Sequence, residues 1–168
     1  MSINLLIIIS IGVVSYISFK NHKLFNQLLF RPYTIVREKE WYRFLTSAWV
    51  HGGFFHLFVN LFVLYGFGNV LEIYFTAWFG GIGKFYYMLL FLVSIVLSHL
   101  STYFKHIYNY AYASVGASGG VSGVLFATIM LEPLQNLYLF ALIPIPGIVF
   151  GVLYLIYSQQ MANRSNDN

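Results

Sequence analysis

Apolar residues in this chain gather into five runs, at 3–19, 53–72, 85–104, 117–132 and 147–161. Charges, tyrosines, glycines and prolines collect between them. A helix rises 1.5 Å per residue and a bilayer core is about 30 Å thick, so runs of this kind predict membrane-crossing helices. The first run lacks a positive leading region and a small-residue cleavage site, and reads as an anchor rather than a removed signal peptide. The fourth run is short and is stopped by Pro133. From Ser118 to Glu132 the rise is about 21 Å. If its far end reaches the opposite surface, Ser118 starts below the near one. Non-helical backbone ahead of it is tolerable only where protein or water satisfies it. This places Ser118 on the floor of a recessed, wet cavity. Leu134 to Pro146 contains Pro144 and Pro146, which cannot both sit within a helix, and reads as an apolar, partly extended loop. The fifth helix follows, then a polar tail from Ala162 to Asn168.

The connection 20–52 is too long for a plain loop and is expected to hold structure of its own. Its run Arg37-Glu38-Lys39-Glu40-Trp41-Tyr42-Arg43-Phe44 sets charges beside aromatics, as in a segment lying at the membrane interface. The second apolar run carries His56 and Asn60, four apart and therefore on one helix face about 6 Å apart along the axis. His51 stands just before it, and Glu72 closes it near the opposite surface. Polar residues inside a span are costly and face the bundle interior or a wet cavity. The third run carries Ser94, Ser98, His99 and Ser101, and His99 reads as a packing residue. The connection Lys105 to Val115 is rich in tyrosine, which suits an interfacial belt. Between 114 and 123 lies a cluster of small residues, with Gly116/Gly120 and Gly119/Gly123 spaced for close helix packing around Ser118.

Composition supports the membrane reading. Of 168 residues, 59% are hydrophobic and 8% charged, and the mean hydropathy is +0.72. A soluble domain carries about 25% charged residues. Without cysteine there is no disulfide framework, thiolate nucleophile or cysteine metal site. The net charge of +4 is local, six of the nine Lys and Arg lying between Lys20 and Arg43. That pattern fits lipid headgroups rather than nucleic acid.

Counting spans brings distant residues together. The end of the second run that holds His56 and Asn60 faces the side of the first loop. The third run returns the chain to that side, so the fourth helix begins there with Ser118. A hydroxyl nucleophile needs a base, and its tetrahedral intermediate needs donors for the developing oxyanion. The Asn60 amide, the His56 imidazole and the backbone N–H groups opening the fourth helix are such donors, and the helix dipole favours negative charge there. Two other readings fit parts of the pattern. Gly116-Ala117-Ser118-Gly119-Gly120 also matches the nucleophile elbow of soluble α/β-hydrolases, which requires a preceding strand. A transporter with broken helices would show related halves, and no internal repeat is present.

The combination resembles a rhomboid intramembrane serine protease. The matching residues are His51 and His56, the HxxxN pattern His56-Leu57-Phe58-Val59-Asn60, Glu72 twelve residues on, and the GxSG pattern Gly116-Ala117-Ser118-Gly119. Trp41-Tyr42-Arg43 resembles the family's Trp-Arg motif, with Tyr42 in place of the usual Trp. The resemblance covers Lys39 to Asn168. It implies an all-α polytopic membrane protein, a single rhomboid-like helical bundle with five of six core spans present. It implies Ser118 as nucleophile on transmembrane protein substrates, and His56, Asn60 and the Ser118 N–H as oxyanion hole. His51, Gly116 and Gly119 would support the cavity, and Arg43 would hold the first loop. No metal, cofactor or nucleic acid is implied. The family's general base is a His on a sixth span, which this sequence does not contain. The expectation is a truncated, inactive protease, or alternatively a pseudoprotease that binds membrane clients without cutting. The family resemblance also implies a bacterial inner membrane and a site open to the extracytoplasmic side. Charge counting points the other way, with Lys20, Lys23, Arg31, Arg37, Lys39, Arg43, Lys105 and Arg164 on the first-loop side and Lys84 on the other.

Overall fold

A computed structural model describes residues 2–139 and 143–164. The polar tail Ser165 to Asn168, and residues 140–142 of the proline-containing loop, lie outside them. The chain is mostly helical: α1 (Ile3–Lys20), α2 (His22–Leu28), α3 (Pro32–Glu38), α4 (Arg43–Thr46), α5 (Phe54–Phe79), α6 (Gly83–His106), α7 (Ser118–Leu131) and α8 (Gly147–Arg164). It divides into two compact units, 1–125 and 126–168.

In the first unit α1 and α5 pack along matching seams. The buried residues of α1 are Asn4, Ile7, Ile11, Ser15 and Ser18, and those of α5 are Leu57, Asn60, Leu64, Gly68, Leu71 and Glu72. Steps of three and four along each helix keep these on one face. The outward positions are also apolar, with Leu5, Ile9 and Val13 on α1 and Phe55, Phe58 and Phe62 on α5 exposed. That is what a helix surrounded by lipid requires. Among the described residues two stretches are long and apolar enough to cross a membrane, 3–20 and 54–106. The second is a hairpin of α5 and α6, closed by the 3₁₀ turn Gly80–Ile82. At Gly83 a Cβ would run into the Phe75 carbonyl, so only glycine lets the two helices approach so closely at the turn.

Glu72 does not close its helix, as the sequence reading expects; α5 continues for two turns to Phe79. Its carboxylate is turned to the start of α1 instead. There it accepts from the Ser2 hydroxyl at 2.6 Å and from the backbone N–H groups of Ile3 and Asn4 at 2.9 and 3.0 Å. The first N–H groups of a helix have no intrahelical partner, and a carboxylate from a neighbouring helix satisfies them as a cap would. Asn4 extends this network inward. Its amide donates to the Leu64 carbonyl and to Asn69, and its oxygen accepts from the Tyr87 hydroxyl at 2.6 Å.

The connection 20–52 holds α2, α3, α4 and a 3₁₀ turn, Ser47–Trp49. Its apolar side forms a small core of Phe30, Ile35 and Phe44 against Val96 and Tyr103 of α6. Trp41 and Tyr42 remain exposed beside it.

In the second unit the proline-containing segment is more ordered than an extended loop. Asn136–Leu139 (β1) and Ile143–Pro146 (β2) pair as antiparallel strands. The turn into α8 is set by Gly147 N–H donating to the Gln135 carbonyl and Ile148 N–H to the Pro133 carbonyl, both at 2.9 Å. Gly151 lets α8 lie against Phe126 and Ile129.

Candidate active site

The segment from Ser114 to Ser118 is held as an extended approach to α7. Ser114 and Phe30 exchange backbone hydrogen bonds at 3.0 Å in both directions, and Gly116 N–H donates to the Ser47 carbonyl at 2.9 Å. Gly116 has φ +112°, which L side chains rarely adopt. A Cβ there would also come within 2.6 Å of Cε1 and 2.9 Å of Nε2 of His56. The imidazole of His56 therefore lies directly on the backbone that leads into Ser118. Glycine is needed at 116 both for the turn and for this approach.

His51 is fully buried between α1, α5 and the same backbone. Its Nε2 accepts from Ala117 N–H at 3.3 Å, and its Nδ1 lies 2.8 Å from the Ser15 hydroxyl. The His51 and His56 rings meet edge to face, with centroids 4.9 Å apart. Burial first, and the neighbouring His56 second, lower the pKa of His51 to about 4. It is a neutral acceptor at physiological pH. Asn60 is buried one turn beyond His56, and its amide donates one N–H to the His56 carbonyl at 2.8 Å. The second N–H of that amide is not used by this bond.

Ser118 opens α7 and is exposed. The first hydrogen bond of the helix runs from Val121 N–H to the Ala117 carbonyl at 2.9 Å. The N–H groups of Ser118, Gly119 and Gly120 lie in the first turn, where a helix offers donors without intrahelical partners. Among the described residues, no side chain hydrogen-bonds the Ser118 hydroxyl.

The glycines of α7 serve packing. A Cβ at Gly119 would overlap Ser98 of α6, one at Gly123 would overlap Ser94, and one at Gly120 would crowd Phe91 and Ile95. Small residues on both helices thus meet, four apart on each. Gly119 is in this seam rather than over the site.

Arg43 bonds within the first loop. Its Nη1 donates to the carbonyls of Asn26 and Leu29 at 3.0 and 2.9 Å, at the C-terminal end of α2, and its Nε to Glu40 at 2.6 Å. It fastens the first loop, satisfying carbonyls that a helix end leaves open. His99 is a packing residue, stacked on Phe30 at 4.1 Å and 3.1 Å from the Ser47 hydroxyl. An open cleft of about 620 Å³, lined by Ser2, Asn69, Glu72, Ile73, Thr76, Ala77 and Lys84, lies at the far end of α5 and includes none of the residues around Ser118.

With HxxxN on α5 set against GxSG at the head of α7, the comparison with known families is decisive. The sequence model described as "Rhomboid domain" matches residues 38–167. The chain belongs to the rhomboid family. Over 101 residues it is 28% identical to the protein named "Putative rhomboid protease YdcA" of Bacillus subtilis (strain 168), covering 60% of this chain and 46% of that protein. The chain therefore spans about half the length of this relative. A rhomboid domain with long apolar helices makes it an integral membrane protein. Among the described residues no cluster of His, Asp and Glu could hold a metal ion.

Three residues that matter here are not singled out by the sequence motifs. Ser15 and Ser47 hold His51 and Gly116 in place, and Trp49 supplies the carbonyl that completes the chain of bonds. Ser15 carries a signal all the same, being a hydroxyl within an apolar span.

Proposed function

We propose that this rhomboid domain is the nucleophile-bearing part of an intramembrane serine endopeptidase that cuts transmembrane proteins. Ser118 Oγ attacks the scissile carbonyl and gives its proton to a general base. The carbonyl oxygen becomes an oxyanion, received by the Ser118 N–H, a ring N–H of His56 and the second amide N–H of Asn60. Collapse expels the amine, which takes up the proton, and water then hydrolyses the acyl ester. The observation that carries this reading is the packing of the His56 ring on Gly116, which joins the HxxxN face of α5 to the start of α7. No metal or cofactor has a part in this scheme.

Among the described residues no side chain hydrogen-bonds the Ser118 hydroxyl, and in this reading the base belongs to a part of the protein outside them. Proton transfer requires a His presented from a sixth span. The same observation favours the second reading, a pseudoprotease that holds membrane clients without cutting. A cleavage assay in proteoliposomes with a fluorogenic transmembrane substrate tests both. The domain joined to a His-bearing sixth span is expected to cleave, with Ser118→Ala abolishing and His56→Ala or Asn60→Ala lowering the rate about 10²–10³-fold. Client capture without cleavage in the extended protein would favour the pseudoprotease.

All five apolar helices are read as crossing the bilayer of a bacterial inner membrane, with Ser118 toward the extracytoplasmic side. Arg43 drops out of the opposing charge count, because it is buried and paired with Glu40. An impermeant thiol reagent acting on intact cells would label a cysteine placed at position 22; labelling only after rupture would reverse the orientation.

A further inference from the structure

Ser15 and His51 form a closed relay whose protons can be assigned from its two ends. At one end Ser15 Oγ lies 2.8 Å from the Trp49 carbonyl. A carbonyl only accepts, so the single hydroxyl proton of Ser15 goes to Trp49. The Ser15 oxygen must then accept from its other neighbour, His51 Nδ1, also at 2.8 Å. At the other end Ala117 N–H only donates, so His51 Nε2 must carry a lone pair. Both ends demand the same neutral ring, protonated at Nδ1. Ser15 and His51 are fully buried, so water does not replace a lost partner there.

We propose that Ser15, on α1, is a positioning residue for the catalytic loop: it fixes the Nδ1–H form of His51 and so holds Nε2 as the acceptor for Ala117 N–H, next to the nucleophile. This rests on reading Ser118 as that nucleophile. The relay orients the peptide between Gly116 and Ala117, immediately before Ser118, while the Ser47 carbonyl orients the one ahead of it. A second hydroxyl on α1 reinforces the grip, Ser10 accepting from the Trp49 indole N–H at 2.9 Å. Residue 15 precedes the stretch 38–167 that the family model covers. The first helix therefore contributes to the site, beyond anchoring the chain. Without the Ser15 oxygen, the His51 Nδ1–H would be a buried donor without a partner. The ring would relieve this by moving its proton to Nε2 or by rotating, and either change takes the acceptor from Ala117.

The test is nitrogen NMR of the chain in detergent micelles, with ¹⁵N in histidine rings and alanine amides. His51 is assigned by its loss in His51→Gln and Ala117 by its loss in Ala117→Gly. The expected wild-type pattern for His51 is a protonated Nδ1 and an unprotonated Nε2. Ser15→Ala should abolish that pattern and move the Ala117 amide proton upfield, and Ser15→Thr, which keeps the hydroxyl, should restore both. A wild-type ring protonated at Nε2 would overturn the proposal even if Ser15→Ala fails to fold, as would a folded Ser15→Ala with both signals unchanged. None of these signals needs a reactive Ser118, so an unreactive Ser118 would leave the relay measurable and be detected separately.

Discussion

At Gly116 two demands coincide, a positive φ and the absence of a side chain against the His56 ring. Gly116→Ala should cost about 1–3 kcal/mol from backbone strain alone and push His56 off the loop. Thermal unfolding in detergent, together with the His56 ring signals, checks both effects. His51 predicts a pH dependence. Its folded pKa of about 4 lies below the usual 6.5, so the unfolded chain binds the extra proton between those values. Stability is complete above pH 6.5 and is lost as pH falls toward 4, by on the order of 3 kcal/mol. Unfolding midpoints measured across that window should fall in the wild type and fall less steeply in His51→Gln. The sequence reading singles out His51, His56, Asn60 and Ser118 because a few polar residues in or beside apolar helices are conspicuous. It does not reach the relay through Ser15, since a lone serine in a span most often bonds back to its own preceding turn.

At the scale of elements, helix positions are legible and helix faces are not. In water the polar face of a helix betrays its buried one, whereas in lipid both faces are apolar. Runs such as 3–19 and 85–104 match α1 and α6 within a residue or two. The inward seam Asn4, Ile7, Ile11, Ser15, Ser18 is distinguished only by its polar members. Short helices such as α2 and α3, seven residues each, are too brief to show a period. Spacing of small residues is legible, and its partner is not: Gly119 and Gly123 meet Ser98 and Ser94, serines that look in the sequence like isolated polar positions. Gly123→Ala should push α7 from α6 and cost about 1–3 kcal/mol. Ser94→Gly in the same chain should recover part of it, which a double-mutant cycle in detergent would measure.

Across the whole molecule, the first unit is tied at both ends of α1 and α5. Glu72 holds the start of α1 at one end, and Ser15 with His51 joins α1 to the backbone leading into Ser118 at the other. Arg43 fastens α2 through its last carbonyls, and the Phe30 cluster seats the first loop on α6. Span counting alone expects Ser118 beside the HxxxN face, and the His56 ring does lie against the backbone that leads into Ser118. The account's central claim is that Ser118 is the nucleophile of this rhomboid. Labelling with a fluorophosphonate serine probe, with the adduct located by mass spectrometry, tests it most directly. The 168-residue chain should stay unlabelled, the same chain extended through a His-bearing sixth span should carry the adduct on Ser118, and Ser118→Ala in the extended form should carry none. No adduct in the extended form, or one that survives Ser118→Ala, would contradict it.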